Sequence, residues 1–321
     1  MRTATRLHPM SPSLRHRINN LAQSALIFAG MIAMVWVVVG LIAGPGLTAL
    51  VIVGMVLGLL AAPAVPRRVL LSAYQACPLG PQDFPAGVTA LAELAGRAGL
   101  PRPPTLWYVP SRLPNAFAMG RPEDSAICIT DGLLRLLDGR ELAGVLAHEV
   151  AHVAHRDLWI MALADGMSRV VSLASWVGQA ILLVNLPLFL IGAEVVPWTV
   201  PLVLIFAPTL MGLLQLALSR SREFDADLGA VRLTGDPEGL ARALLKLERR
   251  RGRFWEEIFL PGRRIPEPSL LRTHPPTQDR IARLRALAIP ASERRRPPHP
   301  TTAPTFPPPP PPRFRRGSFF Y

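Results

Sequence analysis

The residues best suited to chemistry lie in the segment ELAGVLAHEVAHVAHRD, which covers residues 141–157. His148, Glu149 and His152 form the pattern H-E-x-x-H within it. Residues four apart in a helix lie one turn apart on the same face, so both imidazoles can reach one zinc ion. The pattern also arises by chance. Two histidines on an amphipathic helix are the alternative interpretation unless other residues complete a site.

Glu149 is placed to act on a water molecule rather than to bind the metal, because it directly follows the first histidine. Zinc lowers the pKa of a bound water towards about 7, and a neighbouring carboxylate can take its proton as the water attacks a polarised carbonyl. The predicted chemistry is therefore metal-assisted hydrolysis with Glu149 as the general base.

A catalytic zinc site of this type needs a third protein ligand. Metzincins supply a histidine six residues after the second one. That position is Leu158 here, so this subclass is excluded. His155 is a weak candidate, since three ligands from two successive turns would crowd one side of a tetrahedral ion. We interpret His155 as an exposed neighbour or as an outer partner of the site.

Glu223 is the better candidate for the third ligand. Glu223 and Asp227 lie four apart in LSRSREFDADLGA, so a helix presents both on one face. Glu223 can bind zinc, while Asp227 can accept the second ring N–H of a ligating histidine and fix its tautomer. The alternative for this segment is a charged helix at a membrane interface.

The elements that position these residues include long apolar segments. Residues 18–66 contain no charged residue, and the AGPG break at 43–46 predicts two membrane helices near 23–42 and 47–65. A cleaved signal peptide is the alternative, but the apolar stretch is far longer than a signal's core.

A second apolar pair lies between the two halves of the proposed site. Glu194 is the only charged residue between Arg169 and Arg220, which predicts membrane helices near 170–192 and 197–218. A buried or re-entrant hairpin is the alternative, because prolines interrupt both segments. Since the hairpin is antiparallel, it returns the chain to the surface that it left, and His152 and Glu223 reach the same interface.

Arginine dominates the net charge of +13, with Lys246 as the only lysine. The arginines flank the apolar pairs on their outer sides and are absent from both hairpin turns, so both termini and residues 67–169 are predicted to be cytoplasmic. They are not interleaved with aromatics, which argues against nucleic acid as a partner. The expected location is the cytoplasmic (inner) membrane of a bacterium, with the lipid bilayer itself as a partner.

The polar parts of the chain predict a small sheet among helices. Residues 86–99 have apolar positions at helical spacing, and TLWYVPS, NAFAMG and SAICIT are short β-prone runs. The predicted fold class is mainly α (α+β), with four transmembrane helices and a cytoplasmic catalytic domain that contains a small β-sheet. The expected divisions are a basic N-terminus at 1–22, a transmembrane hairpin at 23–65, a cytoplasmic region with the H-E-x-x-H helix at 67–169, a second hairpin at 170–218, a helical region completing the site at 219–290, and a disordered proline-rich basic tail at 291–321.

The motifs HEVAH, SRSREFDAD and RTHPPTQDRIARL, in this order, resemble the HtpX-type membrane zinc metalloproteases, gluzincins related to the CAAX prenyl endopeptidases. The likeness covers roughly residues 20–288 and implies a zincin-like catalytic domain. It implies one Zn²⁺ per chain at His148, His152 and Glu223, with Glu149 as the catalytic base. Asp227 would not bind the metal itself but would accept a hydrogen bond from a ligating histidine.

The same resemblance implies how substrates bind. NAFAMG looks like the family's edge-strand motif, so Asn115, Ala116 and Phe117 are expected to pair with a polypeptide as an added strand. His274 of the T-H-P-P segment would line the cleft. The family further implies misfolded membrane proteins as substrates, in quality control during stress.

Two other functions are alternatives. A membrane scaffold with a vestigial zinc site would be expected to have lost at least one member of the set His148, Glu149, His152, Glu223 and Asp227, and all five are present. A prenyl-protein endopeptidase would need more membrane spans around a large chamber, and four predicted spans favour the HtpX type.

Overall fold

A computed structural model describes residues 12–61, 67–193, 196–257 and 277–286, and these are mostly helical with one small mixed sheet. The elements are α1 (Pro12–Ala61), α2 (Arg67–Ala73), β1 (Cys77–Pro78), α3 (Pro85–Ala98), β2 (Thr105–Val109), β3 (Ala116–Arg121), β4 (Asp124–Thr130), α4 (Asp131–Leu136), α5 (Gly139–Ala154), α6 (Asp157–Leu190), α7 (Thr199–Thr234), α8 (Pro237–Glu257) and α9 (Thr277–Ala286). The chain divides into two compact units: Met1–Ala62 with Met161–Asp225, and Pro63–Ile160 with Ala226–Tyr321. Helices α6 and α7 each continue from one unit into the other.

The first unit consists of long apolar helices. Within the described residues, three helical segments are long and apolar enough to cross a membrane, namely Ala22–Gly44, α6 and α7. The predicted break in α1 is present, because Gly44 adopts φ 75°, a left-handed conformation that glycine tolerates. The helix resumes after Gly44 and ends at Ala61. Residues 62–66 lie outside the described part, so the predicted span at 47–65 stays a prediction.

Helices α6 and α7 form the predicted second pair, but they are longer than the sequence indicated. Helix α6 begins at Asp157, before the predicted start of its span at residue 170. Helix α7 continues to Thr234, beyond the predicted end of its span at residue 218. Asn185 is buried and bonds both backbone groups of Val196, which satisfies polar groups in the turn between the helices. Gly178 allows close packing, since a Cβ there would lie 2.6 Å from Cβ of Leu204.

The second unit contains the sheet, with strand order β1-β2-β4-β3. Strands β2 and β4 are parallel, whereas β3 pairs with β4 antiparallel and forms one edge. The three β-prone runs of the sequence are therefore strands, as predicted. One hydrophobic core lies between the sheet and helices α3, α5 and α8, and includes Leu94, Ile127, Ile129, Leu146 and Leu240. A smaller core, with Leu71, Phe117 and Cys128, lies under α2.

Helix α5 carries the H-E-x-x-H motif through the middle of this core. Asp138 begins it with a capping box, in which its Oδ1 accepts from the Glu141 amide at 2.9 Å and Glu141 Oε2 accepts from the Asp138 amide at 3.0 Å. Lys246 of α8 donates to the same Glu141 oxygen at 2.6 Å. Gly144 brings α5 close to α8, because a Cβ there would lie 2.8 Å from the Leu240 nitrogen. The start and direction of the motif helix are thus fixed at several points.

Candidate metal centre

His148 and His152 lie one turn apart on α5 with their rings directed to the same point. Their Nε2 atoms are 3.1 Å apart, and both side chains are buried. The ring planes are nearly perpendicular, with centroids 4.6 Å apart. The spacing of the motif therefore produces the shared face that it predicted.

A buried carboxylate lies behind His148. Oδ1 of Asp227 is 3.1 Å from Nδ1 of His148, so the second nitrogen of the ring faces an acceptor. Arg280 of α9 donates two hydrogen bonds to Asp227, at 2.8 and 2.6 Å. Such a paired guanidinium stabilises the carboxylate in its ionised form. The sequence analysis expected Asp227 to lie beside a ligating histidine, and in the structure it lies beside His148, whereas Arg280 was not anticipated.

The signal for Arg280 is present in the sequence, although it is weak. Arg280 falls at helical spacing with Leu284 and next to Ile281, and all three are buried in the structure. An arginine at an apolar position of a helix needs a buried anion as a partner. Which anion it meets depends on the tertiary structure.

A second carboxylate lies behind His152. Oδ2 of Asp157 is 2.8 Å from Nδ1 of His152, and Asp157 is buried. Sequence reasoning assigned this residue no role. Each of the two histidines therefore has a carboxylate at Nδ1, which leaves both Nε2 atoms directed at a common point.

Glu223 lies on α7 one turn before Asp227 and is buried. His148, His152 and Glu223 each offer one ligand atom within 4.8 Å of the others. Two imidazoles and a carboxylate are a donor set that suits zinc. With Zn–N of roughly 2.05 Å and tetrahedral angles, two ligating nitrogens would lie about 3.3 Å apart, close to the observed separation of the Nε2 atoms. Glu149 is buried on the same helix turn as these histidines.

The remaining predicted site residues have different positions. His155 is exposed at the C-terminal end of α5. Ala116 begins the edge strand β3, and the Asn115 carbonyl accepts from the Thr130 amide at 3.0 Å. Phe117 is buried against Tyr74, the residue after α2, with ring centroids 5.0 Å apart, and it shares a hydrophobic cluster with Leu71 of α2. His274 and the proline-rich tail lie outside the described residues.

Comparisons with known proteins show the family to which the chain belongs. A family model described as Peptidase family M48 matches residues 86–288. A protein named Protease HtpX homolog, from Acaryochloris marina, is 38% identical over 276 residues, which cover 81% of this chain and 89% of the relative. Protease HtpX of Legionella pneumophila subsp. pneumophila is 37% identical over 289 residues, 84% of this chain and 99% of the relative. The crystal structure of S. mikatae Ste24p covers 84% of this chain and 66% of its own, with a TM-score of 0.48 and 18% identity.

A protease family match, a group of side chains that could hold a metal ion and apolar helices of membrane-spanning length together define a membrane metalloprotease. The chain belongs to peptidase family M48, since the family model and the relatives both cover most of its length. Its substrates are accordingly polypeptides. The resemblance noted in the sequence is confirmed.

Proposed function

We propose that this protein is a zinc endopeptidase that cleaves polypeptides at the cytoplasmic face of a bacterial inner membrane. His148, His152 and Glu223 would hold one Zn²⁺, and Glu149 would act as the general base. The observation that carries this proposal is the convergence of three buried donor atoms within 4.8 Å of one another. The carboxylate 3.1 Å behind His148 supports the same assignment.

The side chains of this site have different roles in the proposed hydrolysis. When bound, zinc would polarise the scissile carbonyl and acidify the attacking water. Glu149 takes the proton from that water and returns it to the leaving amine. Asp227 holds the His148 ring with its proton on Nδ1, so that Nε2 offers a lone pair. Burial of all these groups excludes bulk water and strengthens their electrostatic interactions.

Strand β3 is the proposed binding surface for the substrate backbone. It forms an edge of the sheet, and an edge strand can accept an extended peptide as one further strand. Ala116 begins the strand and Asn115 precedes it, while Phe117 packs in one hydrophobic cluster with Leu71 of α2. Strand addition requires an unfolded segment, which agrees with misfolded membrane proteins as substrates. His274 is proposed to line the same cleft.

We further propose four membrane spans with both termini in the cytoplasm. Three helical segments of spanning length support this arrangement, together with the arginines that flank the apolar pairs. The complete donor set argues against the alternative of a scaffold with a vestigial site.

Replacing Glu149 tests its role as the base. Glu149→Gln keeps the shape of the side chain but removes the proton acceptor, so we expect unchanged zinc content and a loss of peptide hydrolysis of at least about 100-fold. Casein and a membrane-protein substrate would be incubated with detergent-purified protein, with and without a chelator. Turnover by the zinc-loaded variant at the wild-type rate would contradict the mechanism.

Replacing Glu223 tests the third ligand. Glu223→Ala removes one of three protein donors, and we expect zinc content well below one ion per chain after dialysis. Elemental analysis of the purified variant gives the result directly. Asp225→Ala, on the same helix two residues away, is the matched control and should retain zinc. Equal zinc content in the Glu223 variant and the wild type would remove Glu223 from the ligand set.

A further inference from the structure

Asp157 is a buried carboxylate that the H-E-x-x-H pattern does not include. Its Oδ2 lies 2.8 Å from Nδ1 of His152, and only 3% of the residue is exposed. A carboxylate in such a position is expensive to bury unless it is hydrogen-bonded. The His152 ring is a partner of suitable polarity.

The contact depends on the break in the chain between two helices. An α-helix turns about 100° per residue, so a residue five positions after His152 on a continued helix would lie about 140° away from it. Helix α5 instead ends at Ala154, and α6 begins at Asp157. Arg156 between them has φ 58°, a left-handed conformation that is unfavourable for a residue with a Cβ. This turn directs Asp157 back towards His152.

The first turn of α6 is a favourable place for the charge. Asp157 is the first residue of that helix, where the helix dipole stabilises an anion. An ionised carboxylate can only accept a hydrogen bond, so the His152 ring must donate from Nδ1. Nε2 of His152 then carries the lone pair, and it faces Nε2 of His148 at 3.1 Å.

We propose that Asp157 is a positioning residue for His152: it fixes the ring orientation and keeps the proton on Nδ1, so that Nε2 is available to the metal. This inference rests on the proposed zinc site and extends it. Asp227 and Asp157 then play the same part for the two histidines from two different helices. The orientation of one ligand is thereby tied to the first turn of the long apolar helix α6.

The test compares zinc affinity in three variants of the full-length, detergent-purified protein. Asp157→Ala removes the acceptor, and we expect zinc to bind about 10–100-fold more weakly in competition with a chromophoric chelator. Asp157→Asn keeps the shape of the side chain but replaces the carboxylate with a neutral amide. Its oxygen can still accept from the ring, although the NH₂ group can face the ring instead. We therefore expect a smaller loss of zinc affinity, of about threefold or more. Glu141→Gln is the matched control, because Glu141 is equally buried on α5 but caps its far end.

A spectroscopic readout separates positioning from general destabilisation. The visible absorption of the Co²⁺-loaded protein reports the geometry of the ligands, and we expect it to change in both Asp157 variants. Glu141→Gln should lower the unfolding temperature yet leave the Co²⁺ spectrum and the zinc affinity within about twofold of the wild type. A purely structural role of Asp157 would give the pattern of the control.

The outcomes distinguish this inference from the function on which it rests. If the wild type binds no zinc, the proposed function fails. If the wild type binds zinc and either folded Asp157 variant matches its affinity and Co²⁺ spectrum, the function stands and the positioning role is overturned. Should Asp157→Ala not fold, the isosteric Asp157→Asn variant decides alone.

Discussion

At the scale of single residues, the candidate metal site depends on buried groups that contact its histidines as well as on the candidate ligands themselves. Nδ1 of His148 lies 3.1 Å from Asp227, which in turn accepts two hydrogen bonds from Arg280. All three are buried. Arg280 belongs to α9, 53 residues beyond Asp227 in sequence. A helix near the C-terminal end of the described chain therefore balances a charge beside the candidate ligand.

Arg280→Met should destabilise the protein and weaken zinc binding together. The change leaves the Asp227 carboxylate buried without its guanidinium partner, and breaking a buried pair in this way costs about 3–5 kcal/mol. Thermal unfolding and zinc content of the purified variant measure both effects. Arg283→Met, an exposed position on the same helix, should shift the free energy of unfolding by less than about 0.5 kcal/mol. Equal stability of the two variants would contradict the assigned role.

At the scale of elements, the beginning of α8 is joined to the beginning of α5. Asp236 precedes α8 and accepts from the Gly239 amide at 3.2 Å, as a helix N-cap does. Arg140 in the first turn of α5 donates two bonds to the same carboxylate, one of 2.7 Å. Burial alone raises the pKa of Asp236, but the bonds from Arg140 and Gly239 outweigh it, and the pKa is below its ordinary value.

This lowered pKa predicts a defined pH dependence. The fold favours the ionised form of Asp236, so its contribution to stability is present above the unfolded-state pKa of about 3.9 and is lost as the pH falls through the lower folded value. Asp236→Asn lacks that contribution, which for a partly exposed pair is about 1 kcal/mol or less. The difference in unfolding temperature between wild type and variant should be largest near pH 7 and shrink below about pH 4. A difference that is independent of pH would contradict the ion pair.

At the scale of the whole molecule, the apolar helices indicate a lipid environment. Large hydrophobic side chains are strongly exposed along α6, including Leu173 at 67%, Trp176 at 69% and Leu183 at 76%. Such surfaces are stable in a bilayer and are aggregation-prone in water. Three segments of spanning length are described, and the fourth predicted span follows Gly44. The number of spans decides on which side the H-E-x-x-H helix lies.

Reporter fusions distinguish four spans from three. With four spans, fusions after residue 44 and residue 194 should report a non-cytoplasmic location, while one after residue 80 should be cytoplasmic. If the segment after Gly44 does not cross, the fusion after residue 80 becomes non-cytoplasmic. At each position a phosphatase fusion is active only outside the cytoplasm, and a fluorescent-protein fusion is fluorescent only inside it. Every location therefore gives a positive signal in one of the two fusions. A cytoplasmic result at residue 44 or 194 would overturn the predicted topology.

Local sequence patterns were sufficient to predict the motif helix and the strands of this protein. The four-residue spacing of His148 and His152 placed both rings on one helix face, because helical periodicity acts within one turn. The three β-prone runs were likewise predicted from the sequence, since strand propensity depends on neighbouring residues. The pair Glu223 and Asp227 was found in the same way.

Only the tertiary structure decided what depends on contacts between distant segments. It brought Arg280 to Asp227, and it turned Asp157 back onto His152 through a left-handed residue that no propensity favours at an arginine. It also extended α6 and α7 beyond their apolar parts, so that the helices of the hairpin carry polar site residues at their ends. The sequence predicts the candidate donors through local spacing, but the charged groups beside them come from the turn at Arg156 and from helix packing, whose geometry no single spacing encodes.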